Sequence, residues 1–188
     1  MARHSGQIPG IPRPAARVCG HLLAAFLAEA GDLAAAEEAC AATLAQAGDV
    51  GDLYALGMVL PLMADLDVRA GRPGDAAAHL REATRVALQT GIWMTMLNAM
   101  EGCGHLCAAT GRPADAITVW AARDRLSEQG GFMSEDADGR REDALRVARQ
   151  ALGPDRARAA EERGKAMSLA AGQPPGWNCM LGRHHART

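Results

Sequence analysis

Apolar residues recur three and four positions apart through most of the chain, the spacing of one helix face. The pattern predicts helices near 15–30, 33–47, 53–70, 74–89, 94–110 and 113–129, then a more charged pair near 135–152 and 155–170. Three blocks stand in register 40 residues apart: GDLAAAEEAC from Gly31, GRPGDAAAHL from Gly71 and GRPADAITVW from Gly111. Gly readily takes the left-handed conformation that ends a helix, and Pro73 and Pro113 suit the first turn of the next, so each block reads as a tight helix–turn–helix joint. Five and eight residues before each glycine stand Phe26 and Leu23, Leu66 and Met63, and Leu106 and Cys103. Five and nine residues after it stand Ala36 and Cys40, Ala76 and Leu80, and Ala116 and Trp120. A small residue followed one turn later by a larger apolar one lets two helices approach and then fills the space beyond. The expected architecture is all-α: three antiparallel helix pairs over 15–129 stacked as a solenoid, and a solvated capping pair over 130–171. A disordered lead is expected over 1–14 and a flexible tail over 172–188. Pro61 implies that its helix either kinks there or begins near Leu60.

Composition narrows the core and the partners. Of 188 residues, 41 are Ala and six are aromatic, which favours closely packed helices. Twenty basic against 22 acidic residues give a net charge of −2, and therefore no broad attraction toward phosphate backbones or anionic lipid. The five cysteines follow no regular disulfide spacing and fit a reducing cytoplasm. Arg3, Arg13 and Arg17 before VCGHLLAAFLA, with AEA at 28–30, resemble a secretion signal, but His21 interrupts the apolar run and cleavage there would cut a repeat. No apolar stretch approaches the roughly 20 residues of a membrane span.

The glycine, the alanine five residues on and the apolar position four beyond it resemble the core of the tetratricopeptide repeat. A period of 40 rather than about 34 is similar to the variant in the carboxyl-terminal arrays of large LuxR and MalT-type transcription regulators. Residues 105–131, HLCAATGRPADAITVWAARDRLSEQGG, and 156–170, RARAAEERGKAMSLA, are similar to the segment before the DNA-binding domain of actinobacterial members. The regulators' NTPase and helix-turn-helix modules do not appear, and after Leu169 the sequence reads AAGQPPGWNCMLGRHHART in place of a continuing helix. The resemblance therefore implies the array's role alone: scaffolding, partner or inducer sensing, and control of assembly.

Catalytic and metal motifs fare poorly. Cys103, His105 and Cys107 read C-x-H-x-C, but on a helix His105 points about 200 degrees from Cys103, so the three cannot converge on one ion and packing is the expectation. Glu101 and His105 share a face and are expected to form an exposed ion pair, without a nucleophile to make a catalytic couple. Lys165 lacks the flanking residues of a phosphate loop, and Gly102-x-Gly104 is expected to permit close helix contact rather than to hold a dinucleotide. The last two helices carry eight acids and eight bases over 135–165, no basic footprint for a DNA reader. Trp120 is expected in the core, and Trp93 in a connecting turn as a contact surface.

If the first helix of each pair lines the concave side, His21, Glu29, Met58, Asp65, Arg69, Asn98, Glu101 and His105 face the groove. That mixture suits a protein or peptide partner, or a polar small molecule. The expected protein is a non-enzymatic interaction or sensing module, without cofactor, metal, membrane contact or direct nucleic-acid binding. The alternatives are a self-associating remnant of a larger regulator, forming a homo-oligomer, and a direct DNA-binding regulator.

Overall fold

The computed structural model describes residues 13–131 and 139–167, with side chains from residue 20 onward. Its elements are α1 (Arg13–Glu29), α2 (Leu33–Val50), α3 (Leu53–Arg69), α4 (Pro73–Thr90), α5 (Trp93–Ala109), α6 (Pro113–Gln129), α7 (Gly139–Leu152) and α8 (Pro154–Lys165). The described part of the chain is thus all-α, with successive helices packed antiparallel. The expected lead over 1–14 and tail over 172–188 lie outside the described residues, except that Arg13 and Pro14 open α1. Helix α3 runs through Pro61, which excludes a start near Leu60. Trp93 opens α5 instead of lying in the preceding turn.

The joints follow the chemistry read from the glycines, at twice the expected frequency. Gly31, Gly51, Gly71, Gly91, Gly111 and Gly131 all hold φ between 65° and 84°, so a left-handed glycine ends a helix every 20 residues. At four of these turns the following amide reaches back to close the helix end: Asp32 to the Leu27 carbonyl at 3.0 Å, Asp52 to Ala47 at 2.9 Å, Arg72 to Asp67 at 2.8 Å and Arg112 to Cys107 at 2.9 Å. Asp32 and Asp52 then cap α2 and α4's predecessor α3, accepting from the amides of Ala35 and Ala55. Pro73 and Pro113 are the first residues of α4 and α6.

Ala36, Ala76 and Ala116 are fully buried, and Cys40, Leu80 and Trp120 nearly so, so the second helix of each pair uses the register seen in the sequence. Glycines inside helices bring the axes closer still. A methyl group on Gly102 would meet Leu80, on Gly104 the Trp120 ring, and on Gly57 Thr95. Besides packing on their sequence neighbours, α1, α3 and α5 touch one another in order and form a common layer, with α2 and α4 each bridging two of its members.

Two expected core positions are on the surface. Leu66 packs into the α1–α3 core and Leu106 into the core spanning α3 to α6, whereas their counterpart Phe26 is 68% exposed and Leu23 55%. Leu66 and Leu106 each cover the helix pair before their own, and among the described residues no pair precedes α1. At the other end the two-helix pattern changes. Helix α8 lies along α6 much more extensively than along α7. Gly164 brings it against the Thr118 carbonyl, and the Thr118 hydroxyl bonds the Ala160 carbonyl at 3.1 Å.

Candidate functional site

The layer formed by α1, α3 and α5 carries all eight residues expected to face a groove, and these separate into two kinds. Glu29 is exposed, while Met58 and Asn98 are half-buried. His21 is buried. Asp65, Arg69, Glu101 and His105 are drawn into a charged network that α6 and α7 complete.

Glu101 is the centre of that network. Gly104, one turn along α5, leaves room for Trp120 of α6, whose indole Nε1 donates to Glu101 Oε1 at 3.0 Å. His105 Nε2 lies 3.3 Å from the same oxygen, and its ring meets Trp120 in an edge arrangement with centroids 5.2 Å apart. The second oxygen, Oε2, pairs with Arg123 Nε at 2.9 Å and Arg141 Nη1 at 3.3 Å. Arg141 also binds both oxygens of Asp124, at 2.7 and 2.6 Å. Burial by itself would raise the Glu101 pKa, but the His105 hydrogen bond and the charges of Arg141 and Arg123 outweigh it and hold the carboxyl below its ordinary value. The Glu101–His105 pair is therefore not the exposed contact expected: His105 is buried and the Glu101 side chain is 27% exposed, because Trp120 and Arg141 close over them.

A second centre sits on α3. Asp65 pairs with Arg69 one turn on, at 2.8 Å, and receives a two-pronged contact from Arg140 of α7 at 3.1 and 2.7 Å. Arg69 also donates to the Ala28 carbonyl of α1 at 3.0 Å, so it links adjacent members of the layer. Nothing in the spacing of Arg123, Asp124, Arg140 and Arg141 marks them as site residues, since charges on polar helices read as solvated.

A separate cluster lies at the α3–α4 corner. Asp67 is 3% exposed and accepts from Arg72 Nε at 2.9 Å, with His79 Nδ1 at 2.8 Å on its other oxygen; Arg72 continues to Glu37 of α2 at 2.8 Å. Between α6, α7 and α8 a cleft of about 460 Å³ has an apolar floor that includes Ile117, Trp120 and Leu145, under a rim of three acids and three bases.

Burial, reinforced by the neighbouring charge of Glu37 in one case and of Cys107 in the other, pushes the thiols of Cys40 and Cys103 up to about 12, so both are protonated packing groups at neutral pH. Cys107 is buried as well. Among the described residues no group of three or more His, Cys, Asp or Glu is placed to hold a metal ion, and no helix is long and apolar enough to cross a membrane. No protein-family model, curated protein or solved structure matches the chain.

Proposed function

We propose that the chain is a tetratricopeptide-like solenoid that works without catalysis as a protein-interaction or ligand-sensing module, its first-helix layer forming the binding groove. The recurrence of buried Ala36, Ala76 and Ala116 at 40-residue steps supports the repeat, and the contacts among α1, α3 and α5 support a common recognition face. One observation carries the functional reading: polar and charged residues of that layer already hold a polypeptide segment, the start of α7, through Asp65 and Glu101. Kinship with the arrays of LuxR and MalT-type regulators rests on residues 105–131 and 156–170 and is part of the same proposal. Binding would act by favouring one packing of the units over another, with the difference in affinity as the signal.

Native mass spectrometry of the tagged protein captured from its host tests this directly. A stoichiometric protein or a discrete small-molecule mass that is lost from Asn98→Ala/Met58→Ala, with helicity unchanged, is the expected result. A bare monomer would remove the reading. Exposed Leu22, Leu23 and Phe26 on α1 favour a second one, self-association through the open end of the array, and a homo-oligomer dispersed by Phe26→Ser would establish it instead. The repeat register has its own test. Ala76→Leu should destabilise by about 1–3 kcal/mol and half-buried Ala77→Leu by less; equal urea midpoints would show that the buried face is misplaced.

A further inference from the structure

Helix α7 is attached at its first turn through charge and along its later turns through Ala144, Leu145, Ala148 and Leu152. Of its 14 residues only Ala148 is buried, and it touches α8 far less than α8 touches α6. Its first turn, by contrast, sends consecutive arginines to two receptors. Arg140 makes a forked contact with Asp65 of α3, and Arg141 bridges Glu101 of α5 and Asp124 of α6. A guanidinium fits such carboxylates better than an ammonium because its planar fork meets two oxygens at once. Each receptor also holds an arginine of its own, Arg69 beside Asp65 and Arg123 beside Glu101, so the three carboxylates outnumber the two fixed cations when α7 is away. The two incoming guanidinium groups exceed that single unmatched acid by one, so it is the forked geometry at Asp65 and Asp124 that selects arginine.

We propose that the face formed by α3, α5 and α6 is a receptor for an arginine-bearing polypeptide segment, and that α7 occupies it as an internal competitor. This rests on the interaction reading above and specifies the partner's chemistry: adjacent arginines at the start of a helix, supplied by another protein. Because the first turn of α7 contributes no buried apolar residue, a segment that presents the same two guanidinium groups can displace that turn while Ala144, Leu145, Ala148 and Leu152 keep the later turns packed. An occupied receptor lowers apparent affinity in proportion to the fraction left vacant.

The test uses the full chain and a labelled peptide of residues 139–152, GRREDALRVARQAL, followed by fluorescence anisotropy. Arg140→Ala/Arg141→Ala, which vacates the receptor, should bind the peptide at least about tenfold more tightly than the unaltered chain. The same peptide with alanine at both arginine positions should lose that binding. Arg140→Ala alone, which leaves Arg141 in place, should give a smaller gain and decides the matter if the double variant does not fold. Equal binding to vacated and unaltered chains, or binding indifferent to the peptide's arginines, overturns the proposal. A host partner captured equally by both chains would also overturn it while leaving the interaction reading intact. Peptide binding of the expected form without any host partner would show α7 to be the face's own occupant and overturn the external partner.

Discussion

The corner cluster around Asp67 and the face clusters around Glu101 and Asp65 use the same residue types, yet only the face includes a pair that closes over 75 residues. Asp67 binds Arg72 five residues away and His79 twelve away, and Arg72 reaches Glu37 over 35. On the face, Arg141 reaches Glu101 over 40 residues and Arg140 reaches Asp65 over 75. The corner thus fixes the angle at which one helix follows another. The face cluster combines contacts within α5 and across the α5–α6 turn with the arginines of α7, which tie it to helices not adjacent in sequence. Similar ion pairs therefore brace one corner in one region and join distant helices in another.

Breaking the corner should have the largest effect. Asp67→Ala leaves Arg72 and His79 facing a buried gap, and a loss of about 2–3 kcal/mol is expected from the midpoint of urea unfolding. Gly104→Ala attacks the face cluster from beneath, because the added methyl meets the Trp120 ring that carries the hydrogen bond to Glu101. Overpacking of this kind costs about 1–3 kcal/mol, and tryptophan fluorescence should shift with it.

Acid sharpens the comparison further. The lowered pKa of Glu101 means that its charge contributes stability in full above its ordinary value of 4.5, and that this contribution is lost as pH falls through the lower folded value. Glu101→Gln should be less stable than the unaltered protein at pH 7 and should lose less on acidification, so the two unfolding curves converge below pH about 4.5. Parallel curves would show that Glu101 is not the group responsible. The smallest effects belong to α7. Arg140 is 36% exposed, so Arg140→Ala should cost less than about 1 kcal/mol, and exposed Arg146→Ala, whose partner is Asp143 on the same helix, less than about 0.5 kcal/mol.

The local part of this organisation was legible in the sequence. Gly31, Gly71 and Gly111 marked their turns because a left-handed helix end is a property of a few consecutive residues, and the alanine five positions later marked the close contact for the same reason. The intervening glycines, Gly51 and Gly91, were missed as members of a 20-residue series because GDLYALGMVL and GIWMTMLNAM share little beyond their first residue. Phe26 misled because its burial depends on a preceding helix pair, which is information outside its own helix. Asp65, Arg69, Glu101 and His105 were read from periodicity as lying on the first helix of their pairs, but the burial of His105 and the half-burial of the other three were not foreseen. That burial is imposed by Trp120, Arg140 and Arg141, and no local spacing announces which arginine of a polar helix will find a carboxylate 75 residues upstream.

The regular placement of left-handed glycines, one every 20 residues, also bears on how the chain acquires its shape. Each helix finds its partner immediately across a short turn, so most contacts join residues close in sequence, the condition associated with rapid folding. The pair between Arg140 and Asp65 spans 75 residues, so it must wait for the intervening helices to assemble before its two ends can meet. Folding kinetics should accordingly show α7 docking as a late, salt-sensitive step, separable from the formation of the helices themselves.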